Sequence, residues 1–297
     1  MKLAALDLGS NSFHLLVAQT DGQGELTRLG SDKAVLRLGA VVQECGQLSD
    51  AAYAKALATV ARMAAVAREL GAEKLMAVAT SALRDARNGR SFCDDCYELH
   101  GVHIELLSGD DEARLAYLGA RSAFSLTSGR VLVADVGGGS VELAVGDGPS
   151  CDAVQSLQLG FLRLAHAFTL TDPGGVARLA GYVQLECEKA RWQLGRFDTL
   201  LLSGGTARAI GKLLGGGGAS ASTAQVLGLC QDLARLPVPA LRARGVDRQR
   251  ATTLAAGAAV LSGLLAGFGQ RELRISPRGL REGVILRELS LRATRAA

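Results

Sequence analysis

Two short runs of apolar and β-forming residues, 2–8 and 13–19, flank the polar stretch Gly9-Ser10-Asn11-Ser12. That pattern predicts strand, tight turn and strand. From Ser49 to Leu70, Ala, Leu, Val and Met recur at i, i+3 and i+4. The spacing predicts a helix capped by Ser49 or Asp50. Leu75–Thr80 reads as a buried strand, 88–100 as a helix, Ile104–Leu107 as a strand, and about 110–124 as a helix. Strands alternating with helices predict an α/β fold with helices on the sheet faces.

The pattern restarts at Arg130. Val131–Val136 is a strand, Gly137-Gly138-Gly139-Ser140 a turn and Val141–Val145 a strand. Shifted by 128 positions, Asp7 meets Asp135, Gly9 meets Gly137, Ser12 meets Ser140, Leu15 meets Leu143 and Val17 meets Val145. Five matches in one strand–turn–strand context predict two related domains, 1–121 and 122–297, divided by a loop near 121–129. The last helix is left free to pack back on the first domain. A third turn, Ser203-Gly204-Gly205-Thr206, follows the apolar strand 199–202 and opens a helix, and Gly215–Gly218 reads as an exposed loop.

Composition narrows the class. In 297 residues, 48% are hydrophobic and 21% charged, which describes a folded protein and excludes disorder. Of 33 cations 27 are Arg; residues 1–124 carry net −3, and from Arg235 onward 12 cations face four anions. Arginine forks onto phosphate and carboxylate. Codon bias with arginines on solvated faces is the preferred account of the composition alone, and a total of +4 names no partner. Residues 251–269 carry no charge and contain Gly263 and Gly267 in a GxxxG spacing. Their threonines, serine, glycines and alanines favour a closely packed buried helix over a membrane span. Six cysteines are too few for a disulfide framework, and Asp7 interrupts any leader-like apolar segment. A cytoplasmic setting is expected.

Candidate chemistry gathers at the turns. Glycines at a strand end leave backbone N–H groups able to face an oxyanion, and Ser or Thr adds a donor. Gly9, Ser10, Asn11 and Ser12 form one such site; Gly137, Gly138, Gly139 and Ser140 a second; Gly204, Gly205 and Thr206, at a helix start, a third. Each alone is also an ordinary turn. Two equivalent turns in duplicated domains would face each other across a cleft and clamp successive phosphates. Asp7 and Asp135 are placed to offer hard oxygen ligands for Mg²⁺ or Mn²⁺. Glu142 lies on the return strand beside Asp135, whereas the repeat puts His14 at the corresponding place. Asp110 and Asp111 read as helix-start acids, and Glu112 as a third such acid or as a general base on water. Cys93, Cys96, His100 and His103 imitate a zinc site but read better as core and surface residues. Trp192 and four tyrosines form no stacking platform, against sequence-specific nucleic-acid binding.

Several stretches together resemble the exopolyphosphatase/guanosine pentaphosphate phosphatase family, within the actin, Hsp70 and sugar kinase superfamily. They are residues 5–14, Ala79-Thr80-Ser81-Ala82-Leu83-Arg84, Leu107-Ser108-Gly109-Asp110-Asp111-Glu112-Ala113-Arg114, residues 134–143, Ser203-Gly204-Gly205-Thr206 and Gly279-Leu280-Arg281-Glu282-Gly283. The resemblance implies two ribonuclease H-like domains around a cleft. It implies that Glu112 is the catalytic base, that Asp135 and Glu142 bind a divalent metal or orient water, and that Arg84 touches the terminal phosphate. Asp110-Asp111 departs from the family's usual Asn-Glu or Glu-Glu and leaves Glu112 in place. The chain resembles a short form without the C-terminal helical domain of long members.

The function expected is metal-dependent release of terminal phosphate from inorganic polyphosphate, guanosine penta- or tetraphosphate, or both. A kinase of the same superfamily and a non-catalytic alarmone or polyphosphate sensor are the alternatives. Partners beyond substrate are not expected: no membrane, no sequence-specific nucleic acid, with a homodimer left open. Arg248, Arg250, Arg278 and Arg281, assigned to the second domain, are candidates to line the route of a polyanion.

Overall fold

Why the chain begins as a hairpin is visible in its alternation. In β1 (Lys2–Leu8) the odd and even residues go to opposite sheet faces. Ala4, Leu6 and Leu8 join one apolar cluster, Leu3 and Ala5 another. The chain turns through Gly9 into β2 (Ser12–Thr20), which pairs antiparallel with Asp7 opposite His14. This computed structural model describes residues 1–21, 25–124, 129–170, 173–215, 220–246, 248–270 and 272–296.

β3 (Leu26–Val35) pairs with β2 at the sheet edge, with a register shift at Val17/Ala18. Then come α1 (Leu38–Cys45), α2 (Asp50–Glu69) and β4 (Lys74–Ala79), which runs parallel to β1. α3 (Ser81–Asp85), α4 (Gly89–His100), β5 (Ile104–Leu106) and α5 (Gly109–Arg121) follow. The sheet order is β3-β2-β1-β4-β5. Ser49 caps α2 by accepting from the Ala52 N–H at 3.4 Å. Ala56, Val60, Met63, Ala64 and Ala67 give α2 the apolar stripe that buries it. Cys96 and Phe92 of α4 are fully buried in the same cluster and Cys93 packs against it.

The second unit repeats the plan. β6 (Val131–Val136), β7 (Val141–Gly146) and β8 (Ala153–Leu157) form an antiparallel meander. α6 (Phe161–Ala167) and α7 (Pro173–Leu194) lead to β9 (Thr199–Ser203), parallel to β6. Next are α8 (Gly205–Leu213), β10 (Ser220–Ser222), α9 (Thr223–Arg235), α10 (Val238–Ala243), α11 (Arg248–Gly267) and β11 (Glu272–Ile275). The order β10-β11-β9-β6-β7-β8 reproduces the first sheet's order, with β10 added at the far edge. Both units are therefore ribonuclease H-like. The charge-free segment is a core helix: Ala256 and Ala258–Leu261 of α11 are wholly buried. A Cβ on Gly263 would lie 2.6 Å from the Ala180 oxygen, and one on Gly267 2.7 Å from the Gln184 oxygen. The GxxxG spacing thus lets α11 meet α7 backbone to backbone. Among the described residues, no helix is long and apolar enough to cross a membrane.

The last helix, α12 (Leu280–Ala296), belongs to the first unit. That unit comprises Met1–Gly119 with Arg278–Ala297, and the second comprises Ala120–Pro277. Leu280, Val284 and Ile285 cover the sheet face of Leu3, Ala5, Leu16, Ala18 and Val78. Lys74 and Arg292 pair with the buried Glu288 at 2.8 and 2.7 Å. A Cβ on Gly283 would sit 1.9 Å from the Leu115 oxygen, so the last glycine of Gly279-Leu280-Arg281-Glu282-Gly283 is required by the crossing of α12 and α5. Glu282 accepts the Gly279 N–H at 2.9 Å and fixes the helix start.

The predicted polyanion route needs correction. Arg278 and Arg281 lie in the first unit, not the second, and Arg278 approaches Glu25 at 3.8 Å. The side chains of Arg248 and Arg250 fall outside the described residues, as do 125–128 of the predicted domain loop and 216–218 of the glycine loop.

Candidate active site

The first unit assembles one half of the predicted residues. β1 ends at Leu8, and the Gly9–Ser12 turn holds Ser10 buried against the start of α3. The hydroxyls of Ser10 and Ser81 lie 2.6 Å apart, and the Ser10 Oγ accepts the Ala82 N–H at 3.1 Å. Asn11 Nδ2 donates to Ser12 Oγ at 3.3 Å. α3 carries Arg84, whose Nη1 donates to the Leu107 carbonyl at 2.9 Å and to Glu112 Oε2 at 3.2 Å. Glu112 is only 6% exposed, one turn into α5.

Its neighbours divide the work. The Ser108 Oγ accepts the Asp111 N–H at 3.1 Å and donates to the Asp111 carboxylate at 2.6 Å, closing the helix start. Asp110 and Asp111 are exposed, and Glu112 alone of the three acids turns inward. A buried carboxylate beside a guanidinium is costly to desolvate. It is a local-rule violation of the kind that marks functional sites.

The second unit assembles the other half around one row of the sheet. Leu132, Ala134, Val136, Val141, Leu143 and Val145 enter the core cluster, so Asp135 and Glu142 share the opposite face. They are register partners on β6 and β7. The row extends outward to Ser156 on β8 and Ser203 on β9. Ser156 Oγ donates to Glu142 Oε1 at 3.0 Å, and Ser203 Oγ donates to Asp135 Oδ1 at 2.5 Å. Four polar side chains thus stand in line, with Glu142 at 1% exposure and Ser203 fully buried. The matching row in the first unit reads Lys33, His14, Asp7 and Val78. The repeat preserved the first aspartate and the turn but exchanged the second carboxylate for an imidazole.

That difference bears on a metal. Asp135 and Glu142 set two carboxylates side by side, a donor set of the kind that suits Mg²⁺, which takes one or two carboxylates and completes its shell with water and phosphate. Asp7 faces His14 instead. Among the described residues, no three His, Cys, Asp or Glu side chains form a ready-made cage.

The turns themselves are shaped by close approach. Cβ atoms on Gly9 and Gly137 would each lie 3.1 Å from a carbonyl oxygen three residues on, Ser12 and Ser140. Gly137 N–H donates to the Ser140 carbonyl at 3.1 Å. Gly204, at φ 98°, stands 2.7 Å (from its missing Cβ) to the Val136 oxygen, so the third turn lies against the end of β6. Gly205 starts α8, and Thr206 is buried, its methyl packed on Gly257. Ser156 and Arg163 lie in none of the motifs visible in the sequence. Arg163 donates its Nε to the Gly139 carbonyl at 3.1 Å. Ser156 could have been found only by extending the meander by one strand.

Residues 16–292 match the Ppx/GppA phosphatase family. Exopolyphosphatase 1 of Mycobacterium tuberculosis is 33% identical over 99% of this chain and 90% of its own length. A solved Ppx/GppA family member from Aquifex aeolicus superposes with a TM-score of 0.85 at 28% identity over 98% of both chains. An exopolyphosphatase structure from Cytophaga hutchinsonii, at 23% identity and TM-score 0.87 over 98% of both chains, shares the fold. With duplicated sheets, glycine turns and this likeness along its length, the chain belongs to the Ppx/GppA phosphatase family.

Proposed function

We propose that the protein is an exopolyphosphatase, hydrolysing the terminal phosphoanhydride bond of inorganic polyphosphate. The observation that carries the reading is the buried Glu112 carboxylate 3.2 Å from the Arg84 guanidinium. A phosphate-binding cation and a proton acceptor at that separation bring a water and a phosphoryl group to adjacent positions. Arg84, fixed by the Leu107 carbonyl, binds the terminal phosphate. Glu112 holds the water and accepts its proton as the water oxygen bonds to phosphorus. The bond to the bridging oxygen breaks, and its electron pair leaves with the shortened chain. Ser10 and Ser12 with the Gly9–Ser12 amides bind phosphate oxygens in the first unit, and Gly137–Ser140 with Gly204, Gly205 and Thr206 do so in the second.

Asp135 and Glu142 would hold the divalent cation, Mg²⁺ or Mn²⁺, which when bound offsets the negative charge of the phosphate oxygens. The hydroxyls of Ser203 and Ser156 orient those carboxylates. Asp7 occupies the equivalent place in the first unit. Its neighbour His14 makes it the weaker metal ligand in this reading.

The test is phosphate release measured side by side on short polyphosphate, long polyphosphate and guanosine pentaphosphate. Release from polyphosphate in proportion to enzyme supports the reading. Release from guanosine pentaphosphate alone would replace the substrate. Transfer only to an added acceptor would make the protein a kinase, and binding without turnover a sensor. Glu112→Gln keeps the shape of the side chain and removes its basicity. Turnover should fall by roughly 10²–10⁴-fold with polyphosphate still bound. Turnover near the wild-type level would remove Glu112 from the mechanism.

A further inference from the structure

The Gly137–Ser140 turn is braced from behind. The N–H groups of Phe161, Leu162 and Arg163, at the start of α6, donate to the carbonyls of Gly137, Gly138 and Gly138 at 3.2, 2.9 and 3.3 Å. Gly160 lies so close that a Cβ there would fall 2.1 Å from the Gly139 carbonyl carbon. With its carbonyls engaged on this side, the turn is locked, and Arg163 is locked with it. The half-buried guanidinium donates its Nε to the Gly139 carbonyl. A planar five-donor group is thereby held at the turn. The same place carries the two carboxylates Asp135 and Glu142, which by themselves repel a polyanion.

We propose that Arg163 is a phosphate-binding residue of the second unit, forking onto the oxygens of a phosphate that the Gly138–Ser140 amides cradle. The proposal rests on the reading of this turn as an anion site. The repeat supports it independently. In the first unit the N–H groups of Arg37 and Gly39 donate to the carbonyls of Asn11 and Ser10 at 2.9 and 2.8 Å. Arg37 there adopts a left-handed φ of 56°, the one non-glycine to do so among the described residues. Left-handed backbone in a residue with a side chain is retained where something holds it, and functional sites are where it clusters. The two hairpin turns, Gly9–Ser12 and Gly137–Ser140, are thus each braced by the segment after the third strand of their unit, and each brace brings an arginine.

The experiment compares wild type, Arg163→Gln and Arg163→Lys. The steady state is followed on polyphosphate at several salt concentrations, and inorganic tripolyphosphate binding by calorimetry. Arg163→Gln retains an amide donor for Gly139 and removes the charge. It should raise KM and the tripolyphosphate Kd about tenfold or more, flatten their salt dependence, and change kcat less than about threefold. Arg163→Lys should recover part of the affinity and most of the salt dependence. Unchanged KM, Kd and salt dependence in Arg163→Gln would overturn the proposal. So would equal impairment of both variants, because a purely bracing role depends on the bond to Gly139 and not on charge. A wild type that binds tripolyphosphate but releases no phosphate would sink the hydrolase reading alone; one that binds none would sink both.

Discussion

Replacing Gly160 by alanine probes the second turn without replacing any residue proposed to meet substrate. The new methyl would stand 2.1 Å from the Gly139 carbonyl carbon and 2.4 Å from both the carbonyl carbon and oxygen of Gly138. Carbon atoms in contact prefer about 3.5 Å, so the overlap exceeds roughly 1 Å. All three clashing atoms are backbone, and no side chain can swing away. Either α6 backs off, breaking its N–H bonds to Gly137 and Gly138, or the turn moves by about the overlap. A displacement of about 1 Å in a positioning element costs on the order of 10²-fold in rate. Overpacking of this kind costs about 1–3 kcal/mol in stability. Purified Gly160→Ala should therefore stay folded by circular dichroism, with a lowered Tm, while kcat/KM for polyphosphate falls about 30- to 100-fold. Gly181→Ala is the control: among the described residues nothing lies within 4 Å of its Cβ, and a helical alanine should add about 0.5–1 kcal/mol of stability. If Gly160→Ala keeps kcat/KM within twofold of wild type, the Gly137–Ser140 amides do not hold the phosphate.

Other consequences are open to measurement. Gly283→Ala places a methyl 1.9 Å from the Leu115 oxygen, and urea unfolding should show a loss of about 2–3 kcal/mol; a loss under 0.5 would mean that α12 and α5 do not cross so closely. Burial opposes ionisation of Glu288, but hydrogen bonds and charge from Lys74 and Arg292 outweigh it and hold the carboxyl below its ordinary value of 4.5. Because the folded value is the lower one, this contribution is complete above about 4.5 and disappears as acid protonates the folded carboxyl. Acid unfolding of Glu288→Gln should lack that part of the pH dependence, and an unchanged acid limb would count against it. Burial pushes the Cys96 and Cys187 thiols up to about 12 and those of Cys93 and Cys230 up to about 11, whereas Cys45 is exposed. A thiol reagent at pH 8 should label Cys45 at once and these four only on unfolding, the thiolate of Cys93 being roughly a thousandth of the total.

The hairpin pattern was legible because each side of its strands has a distinct partner. Alternation in residues 2–8 reports two apolar faces, and the five-position repeat is matched in the structure by equal register, Asp7 opposite His14 and Asp135 opposite Glu142. The cap at Ser49 and the burial of α11 were legible for the same reason, local rules agreeing with tertiary ones. β3 was not. Its ten residues, Leu26–Val35, are partly exposed throughout, so no buried face marks its period. The function of Gly283 was hidden too, since a glycine needed for helix crossing looks like one needed for a turn. Arg163 gave no signal because its meaning lies in a hydrogen bond to a turn 24 positions earlier. Ser203 stood in a recognised turn, yet its bond to Asp135 spans 68 positions.

The placement of α12 has a consequence for biosynthesis. The second unit is one unbroken stretch, Ala120–Pro277, whereas the first is assembled from two, Met1–Gly119 and Arg278–Ala297. The first unit begins earlier and finishes later. Leu3, Ala5 and Leu16 wait for Leu280, Val284 and Ile285, residues separated from them by most of the polypeptide. The first unit therefore cannot complete its core in the N-terminal-first order usual for domains, because α12 is made only after the whole second unit. Until then one apolar face of the opening sheet stays uncovered, a surface for a chaperone to hold until α12 arrives.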